Sequence, residues 1–123
     1  MKHTVLVVDD DTTVQYTIKR ILEGAGLEVE LASSGIECIQ KIQGGFRGLI
    51  LMDVVMPELD GWDTIKAICE AGLFEGNIVC MLTGNEVPDT KMEYLKEYVI
   101  DYIRKPFESK NLIQLVNEYL SYL

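Results

Sequence analysis

The feature that most constrains the fold of this chain is a repeated change in the spacing of its apolar residues. Five short apolar runs alternate with longer stretches in which apolar residues recur every three or four positions. Runs of the first kind are typical of β-strands, and stretches of the second kind are typical of amphipathic helices. Their regular alternation predicts a mostly parallel sheet. Right-handed crossovers then place helices on both faces of that sheet.

The predicted elements follow one another as (βα)5. Strands are predicted over residues 4–8, 27–32, 48–52, 77–82 and 100–103. Helix starts are predicted at a Thr12 to Gln15 capping box, a Ser34 to Glu37 capping box, Asp60, Pro88 and the segment after Phe107. The buried stripe of the second helix is predicted to include Ile36, and that of the last helix to reach Leu123.

The size and charge of the chain limit its class. Its 123 residues, 48% of them apolar, fit one domain over residues 1–123. No apolar stretch is long enough for a bilayer span, so we expect a cytoplasmic protein without a membrane partner. The net charge of -9 argues against direct binding of nucleic acid. Cys38, Cys69 and Cys80 lie in apolar runs and are predicted to be buried thiols.

Polar and charged residues follow four of the predicted strands. They are Asp9, Asp10 and Asp11 after the first, Asp53 after the third, Thr83 after the fourth and Lys105 after the fifth. Ligands of such sheets bind at the carboxyl ends of the strands, so these side chains are expected at one edge.

The chemistry of that edge favours a bound cation. Carboxylates packed together raise one another's pKa unless a cation neutralises them, and Mg²⁺ prefers oxygen ligands. Asp53 could then act as a nucleophile that forms an aspartyl phosphate. Thr83 and Lys105 would bind the phosphoryl oxygens.

Five motifs in a fixed order carry a resemblance to a known family. They are VLVVDD at residues 5–10, LMDVVMP at 51–57, DG at 60–61, MLTG at 81–84 and YIRKPF at 102–107. Together they resemble the receiver domain of two-component response regulators, the CheY-like family, over essentially the whole chain. The resemblance implies a flavodoxin-like three-layer sandwich, α/β and doubly wound, with a parallel sheet of order 2-1-3-4-5.

The resemblance also implies a metal-dependent phosphoacceptor. Asp53 would accept a phosphoryl group from a phosphohistidine donor, which is a sensor histidine kinase or a histidine phosphotransfer protein. Asp10 would bind Mg²⁺ directly with Asp9 close behind it, and Asp53 and the main-chain carbonyl of Val55 would add further ligands. The protein would assist its own phosphorylation and dephosphorylation without being an enzyme in the usual sense.

Three further residues are assigned by the same resemblance. Lys105 would pair with the phosphoacceptor, and the Lys105 to Pro106 peptide bond is expected to be cis. Thr83 and Tyr102 match the family's switch pair, in which the aromatic side chain moves inward after phosphorylation.

The expected output surface departs from the family pattern. The segment before Tyr102 usually contains Gly-Ala, whereas here it reads Tyr98-Val-Ile100. The family's output partner binds the face formed by the fourth helix, the fifth strand and the fifth helix. Apolar bulk at Tyr94, Tyr98 and Ile100 fits either a partner or dimer patch there or ordinary core packing. Dimerisation on phosphorylation stays open, as does whether the chain acts alone or belongs to a longer regulator.

Other interpretations use the same residues differently. The pattern Asp9-x-Asp11-x-Thr13 also fits the DxDxT signature of haloacid-dehalogenase-type phosphatases, in which Asp9 would be the nucleophile. That family would need an acidic pair after Lys105 and would not require Asp53. A non-phosphorylated interaction module of the same fold is a third alternative. Asp10 and Asp11 could also merely cap the first helix.

Overall fold

The computed structural model describes residues 4–84 and 95–123. Its strands are β1 (Thr4–Val8), β2 (Glu28–Ala32), β3 (Leu49–Asp53), β4 (Ile78–Thr83) and β5 (Val99–Arg104). They form one parallel sheet of order β2-β1-β3-β4-β5, which confirms the predicted order. Each strand begins and ends within one residue of its predicted bounds.

The α-helices in the described part of the chain are α1 (Thr12–Gly24), α2 (Gly35–Gln43), α3 (Gly61–Glu70) and α4 (Ser109–Leu120). The helix predicted to begin near Pro88 lies outside the described residues, as does Tyr94. Helix α4 is therefore the fifth helix of the sequence prediction. Within the two described ranges, no helix has the length and apolar character needed to cross a membrane.

Two apolar layers lie on opposite faces of the central strands. Val5 and Val7 of β1 pack with α1 and α4, whereas Leu6 and Val8 pack with α2 and α3. Alternate residues of a strand point to opposite faces, so a strand in the middle of the sandwich must be apolar throughout. Every residue of β3 is buried for the same reason.

The N-terminus of α1 differs from its prediction. Asp11, not Thr12, is the N-cap, and its Oδ1 accepts hydrogen bonds from the Thr13 and Val14 N–H groups. Both residue types cap helices well, so the local sequence did not decide between them. Gln15, which was assigned to a capping box, instead points into the protein and is buried.

The starts of α2, α3 and α4 lie where the sequence placed them. Ser34 caps α2 by accepting from the Glu37 N–H, and Asp60 caps α3 in a reciprocal capping box with Asp63. Two apolar residues expected to be buried, Ile36 and Leu123, are exposed. Ile36 lies in the first turn of α2. The buried face of this helix is formed by Cys38 and Ile42, and Ile36 does not lie on it.

The cysteine prediction is only partly correct. Cys38 and Cys80 are buried, and burial raises the pKa of each thiol to about 12. Cys69 is only half-buried. The half-buried Tyr98 ring packs edge-on against Phe74 with 5.0 Å between ring centroids, whereas Ile100 remains exposed on β5.

A close backbone contact fixes the loop that follows β3. The Gly61 N–H donates to the Val54 carbonyl at 2.8 Å. A Cβ at Gly61 would lie 2.7 Å from the Asp53 carbonyl oxygen and 2.9 Å from Cε of Met81. Only glycine fits this contact, and it holds the start of α3 directly behind the end of β3.

Candidate functional site

Three carboxylates meet at the carboxyl edge of the sheet. Asp9 and Asp10 follow β1, Asp53 ends β3, and one oxygen from each lies within 4.8 Å of the others. Asp9 is 1% exposed and Asp53 is 8% exposed, whereas Asp10 faces solvent. Neighbouring parallel strands end side by side, which explains why residues 44 positions apart in the chain converge here.

Lys105 brings a positive charge to two of these carboxylates. Its Nζ lies 3.0 Å from Oδ2 of Asp9 and 3.4 Å from Oδ1 of Asp53. The Lys105 N–H donates to the Thr83 carbonyl at 2.7 Å, which continues the β4 to β5 pairing by one residue. The peptide bond between Lys105 and Pro106 is cis.

The electrostatics of the cluster leave Asp53 poorly compensated. Burial, followed by the charge of Asp9, raises the pKa of Asp53 to about 6, although Lys105 and a hydrogen bond from the Val55 backbone act to lower it. Burial acts to lower the pKa of Lys105, but its contacts with Asp9 and Asp53 outweigh this and raise it. Lys105 therefore stays charged at neutral pH.

The donor set fits a hard divalent cation. Three carboxylates lie together and one ammonium group contacts two of them, so negative charge remains at the edge of the sheet. Mg²⁺ takes oxygen ligands, often one or two carboxylates together with water and phosphate oxygens. A cation here would relieve the repulsion between Asp9 and Asp53.

The remaining predicted residues lie around this cluster. Thr83 is half-buried at the end of β4, one residue beyond Leu82, which pairs with Asp53. Val55 is 59% exposed two residues after Asp53. Tyr102 is 44% exposed on β5, with its ring centroid 6.4 Å from that of Trp62.

Two residues near the site were not predicted. Gln15 lies buried beneath Asp9, and its Nε2 donates to the Asp9 carbonyl. Its position on the same face of α1 as Ile18 and Leu22 is a signal that it points inward, but the capping-box pattern obscured it. Trp62, which is buried on α3, contacts Tyr102, and no local pattern indicates that pairing.

Comparison with known proteins identifies the family to which this chain belongs. The family model described as the response regulator receiver domain matches residues 5–117. The chain belongs to this receiver domain family. A receiver domain protein (CheY-like) from Methanospirillum hungatei JF-1 has a similar crystal structure, with a TM-score of 0.95, 43% identity, and coverage of 99% of this chain and 97% of that one.

Curated relatives include both short and long proteins. The chemotaxis protein CheY of Bacillus subtilis is 30% identical over 122 residues, which cover 98% of this chain and 100% of that protein. The transcriptional regulatory protein ZraR of Klebsiella oxytoca is 34% identical over 119 residues, which cover 96% of this chain but 26% of that protein. The receiver domain described here thus spans about a quarter to a half of the length of the transcriptional regulators that it matches.

Membership of the family bears on the phosphatase alternative drawn from the sequence. Receiver domains are phosphorylation-dependent signalling switches that work with histidine kinases or phosphotransfer proteins, and they are not enzymes in the usual sense. The phosphatase alternative is not favoured. Asp9, its proposed nucleophile, is buried with its Oδ2 on Lys105 and its Oδ1 accepting from the Asp11 N–H at 2.9 Å.

Proposed function

We propose that this receiver domain accepts a phosphoryl group on Asp53 from a phosphohistidine donor. The observation that carries the proposal is the contact of Lys105 with both Asp9 and Asp53 beside a third carboxylate, Asp10. This arrangement supports a nucleophile, a counter-charge and a cation site within one cluster.

Mg²⁺ is the proposed cofactor. Its ligands would be Asp9, Asp10, Asp53 and the main-chain carbonyl of Val55, of which the three carboxylates already lie together. When bound, the ion would offset the charge of the phosphoryl oxygens during transfer. These residues would hold the phosphoryl group in place while it moves between the donor and Asp53. The protein would in this way assist its own phosphorylation and dephosphorylation, without turning over a separate substrate.

In the proposed transfer, an Asp53 carboxylate oxygen forms the new bond to phosphorus. The bond from phosphorus to the donor imidazole breaks, and the imidazole nitrogen keeps the electron pair and takes a proton from solvent water. A pKa of about 6 leaves Asp53 mostly ionised near pH 7.5, so the nucleophile is available. Lys105 would then bind a phosphoryl oxygen in place of its contact with the Asp53 carboxylate.

Thr83 and Tyr102 are the proposed switch pair. The end of β4 lies beside the end of β3, which supports movement of the Thr83 hydroxyl towards a phosphoryl group on Asp53. The Tyr102 ring would then turn inward from its half-exposed position. The fourth predicted helix, β5 and α4 would carry this change to an output partner or to a second copy of the chain.

We infer one receiver domain over residues 1–123, which the family match to residues 5–117 supports. We also predict that it works in the cytoplasm, where histidine kinases present their phosphohistidine.

A mass measurement on the intact protein tests the proposal. The protein is incubated with a small phosphodonor, with and without Mg²⁺, and we expect one added phosphoryl group that requires the ion. Asp53→Asn should remain unmodified. Equal modification of Asp53→Asn and the unaltered protein would contradict the proposal.

A further inference from the structure

Gln15 is a polar side chain buried directly beneath the acidic cluster. It is 3% exposed, and its Nε2 lies within hydrogen-bonding distance of the Asp9 carbonyl, the Ala32 carbonyl at 3.2 Å and Ser33 Oγ at 3.1 Å. An amide group has two N–H donors, so these three acceptors share them. Gln15 thus joins α1 to the carboxyl ends of β1 and β2.

These bonds complete the attachment of Asp9. Its N–H donates to the Ala32 carbonyl at 3.1 Å, and its own carbonyl accepts from Gln15. Its carboxylate is oriented by the Asp11 N–H and by Lys105. The side chain of Asp9 therefore has little freedom as long as Gln15 holds the main chain in place.

We propose that Gln15 is a positioning residue that sets the affinity of the acidic cluster for Mg²⁺. The inference rests on the proposed function, because it assumes that Asp9, Asp10 and Asp53 bind the ion. Gln15 itself touches none of the three carboxylates in the described contacts. It acts through the main chain of Asp9, from which the direction of the Asp9 carboxylate and the neighbouring position of Asp10 both follow.

An amide is well suited to this position. An apolar side chain of the same length would leave the buried Asp9 carbonyl without the Gln15 donor, and the main chain would shift to find another. A glutamate would place a carboxylate against two carbonyl oxygens. Substitution of a residue that orients a metal ligand without binding the metal commonly weakens metal affinity about tenfold or more.

Calorimetric titration of the 123-residue chain with Mg²⁺ tests the proposal. Gln15→Met keeps the length of the side chain and removes its donors, so we expect a dissociation constant raised about tenfold. Gln15→Leu provides a second apolar side chain in case the first variant folds poorly. Ser33→Ala removes only the exposed acceptor and should bind Mg²⁺ within about twofold of the unaltered protein, since the bond to Asp9 is kept.

Leu22→Ala is the matched control for lost stability. Leu22 is buried on the same helix two turns further along, so its truncation should lower the melting temperature without changing the dissociation constant. The positioning role is overturned if Gln15→Met binds as tightly as the unaltered protein, or if Leu22→Ala weakens binding equally. Failure of the unaltered protein to bind Mg²⁺ would instead overturn the proposed function, and this inference with it.

Discussion

Lys105 Nζ lies 3.4 Å from Oδ1 of Asp53 while it also contacts Asp9 at 3.0 Å. One ammonium group therefore serves two buried carboxylates and neutralises neither fully. The surplus negative charge destabilises the metal-free protein and, at the same time, favours a bound cation.

Removal of the Lys105 charge should destabilise the metal-free protein. We expect Lys105→Met to lower the free energy of unfolding at pH 7.5 by about 1–3 kcal/mol, because two buried carboxylates lose their counter-charge. Added Mg²⁺ should restore part of the loss. Urea denaturation measures both effects.

Lys19→Met is the control for this change. Lys19 pairs with Glu23 on the surface of α1 at 3.0 Å, and exposed pairs of this kind contribute about 0.5 kcal/mol or less. Similar losses in the two variants would show that Lys105 is an ordinary surface charge.

The stability of the metal-free protein should depend on the ionisation of Asp53. Because burial and Asp9 raise its pKa from 3.8 to about 6, folding favours the protonated form. The resulting stabilisation is complete below about pH 3.8 and is lost as the pH rises through about 6. The loss amounts to about 3 kcal/mol at most.

Asp53→Asn removes this titration. We expect the variant to be more stable than the unaltered protein by about 1–3 kcal/mol at pH 7.5 without Mg²⁺, with the difference shrinking towards pH 4. Urea denaturation across this range in the presence of a chelator measures the difference. A constant difference at all pH values would mean that Asp53 does not titrate as described.

Gly61→Ala should disturb the segment behind Asp53. The added Cβ would lie 2.7 Å from the Asp53 carbonyl oxygen, so the main chain must move. We expect a loss of about 1–3 kcal/mol in stability, measured by thermal unfolding, together with slower phosphorylation. Gly24→Ala at the end of α1 is the control, since its Cβ would meet nothing within 4 Å; equal losses would rule out the close contact as the cause.

Trp62 should report the movement of Tyr102. It is the single tryptophan of the chain, and its ring centroid lies 6.4 Å from that of Tyr102. Phosphorylation in the presence of Mg²⁺ should change its fluorescence, and Tyr102→Ala should remove most of that change. Tyr16→Ala, at an exposed tyrosine of α1, should leave the response intact. A response that survives in Tyr102→Ala would exclude Tyr102 as its source.

The sequence predicted the sheet well because its three central strands, β1, β3 and β4, are unusually apolar. Strands β1 and β3 are buried on both faces, and continuous runs of Val, Leu and Ile like theirs are typical of such strands. The family motifs added the order of the strands and the set of site residues. Asp9, Asp10, Asp53 and Lys105 do converge, although Lys105 lies 96 positions from Asp9 in the chain.

The misses arose where two local patterns competed. Asp11 and Thr12 are adjacent residues of types that both cap helices well, and Asp11 is the one that caps α1. Once Asp11 is the cap, Gln15 turns to the buried face, where the ends of β1 and β2 offer it carbonyl groups. The contact of Trp62 with Tyr102 likewise depends on how α3 packs beside β5. The spacing of apolar residues along the chain does not predict that packing.

The most direct test of the account is to locate the phosphoryl group on the chain. After treatment with a small phosphodonor and Mg²⁺, borohydride converts an aspartyl phosphate to homoserine, and peptide mass spectrometry identifies the altered residue. We predict homoserine at Asp53 and unaltered Asp9 and Asp10. Homoserine at Asp9 with Asp53 unaltered would contradict the account.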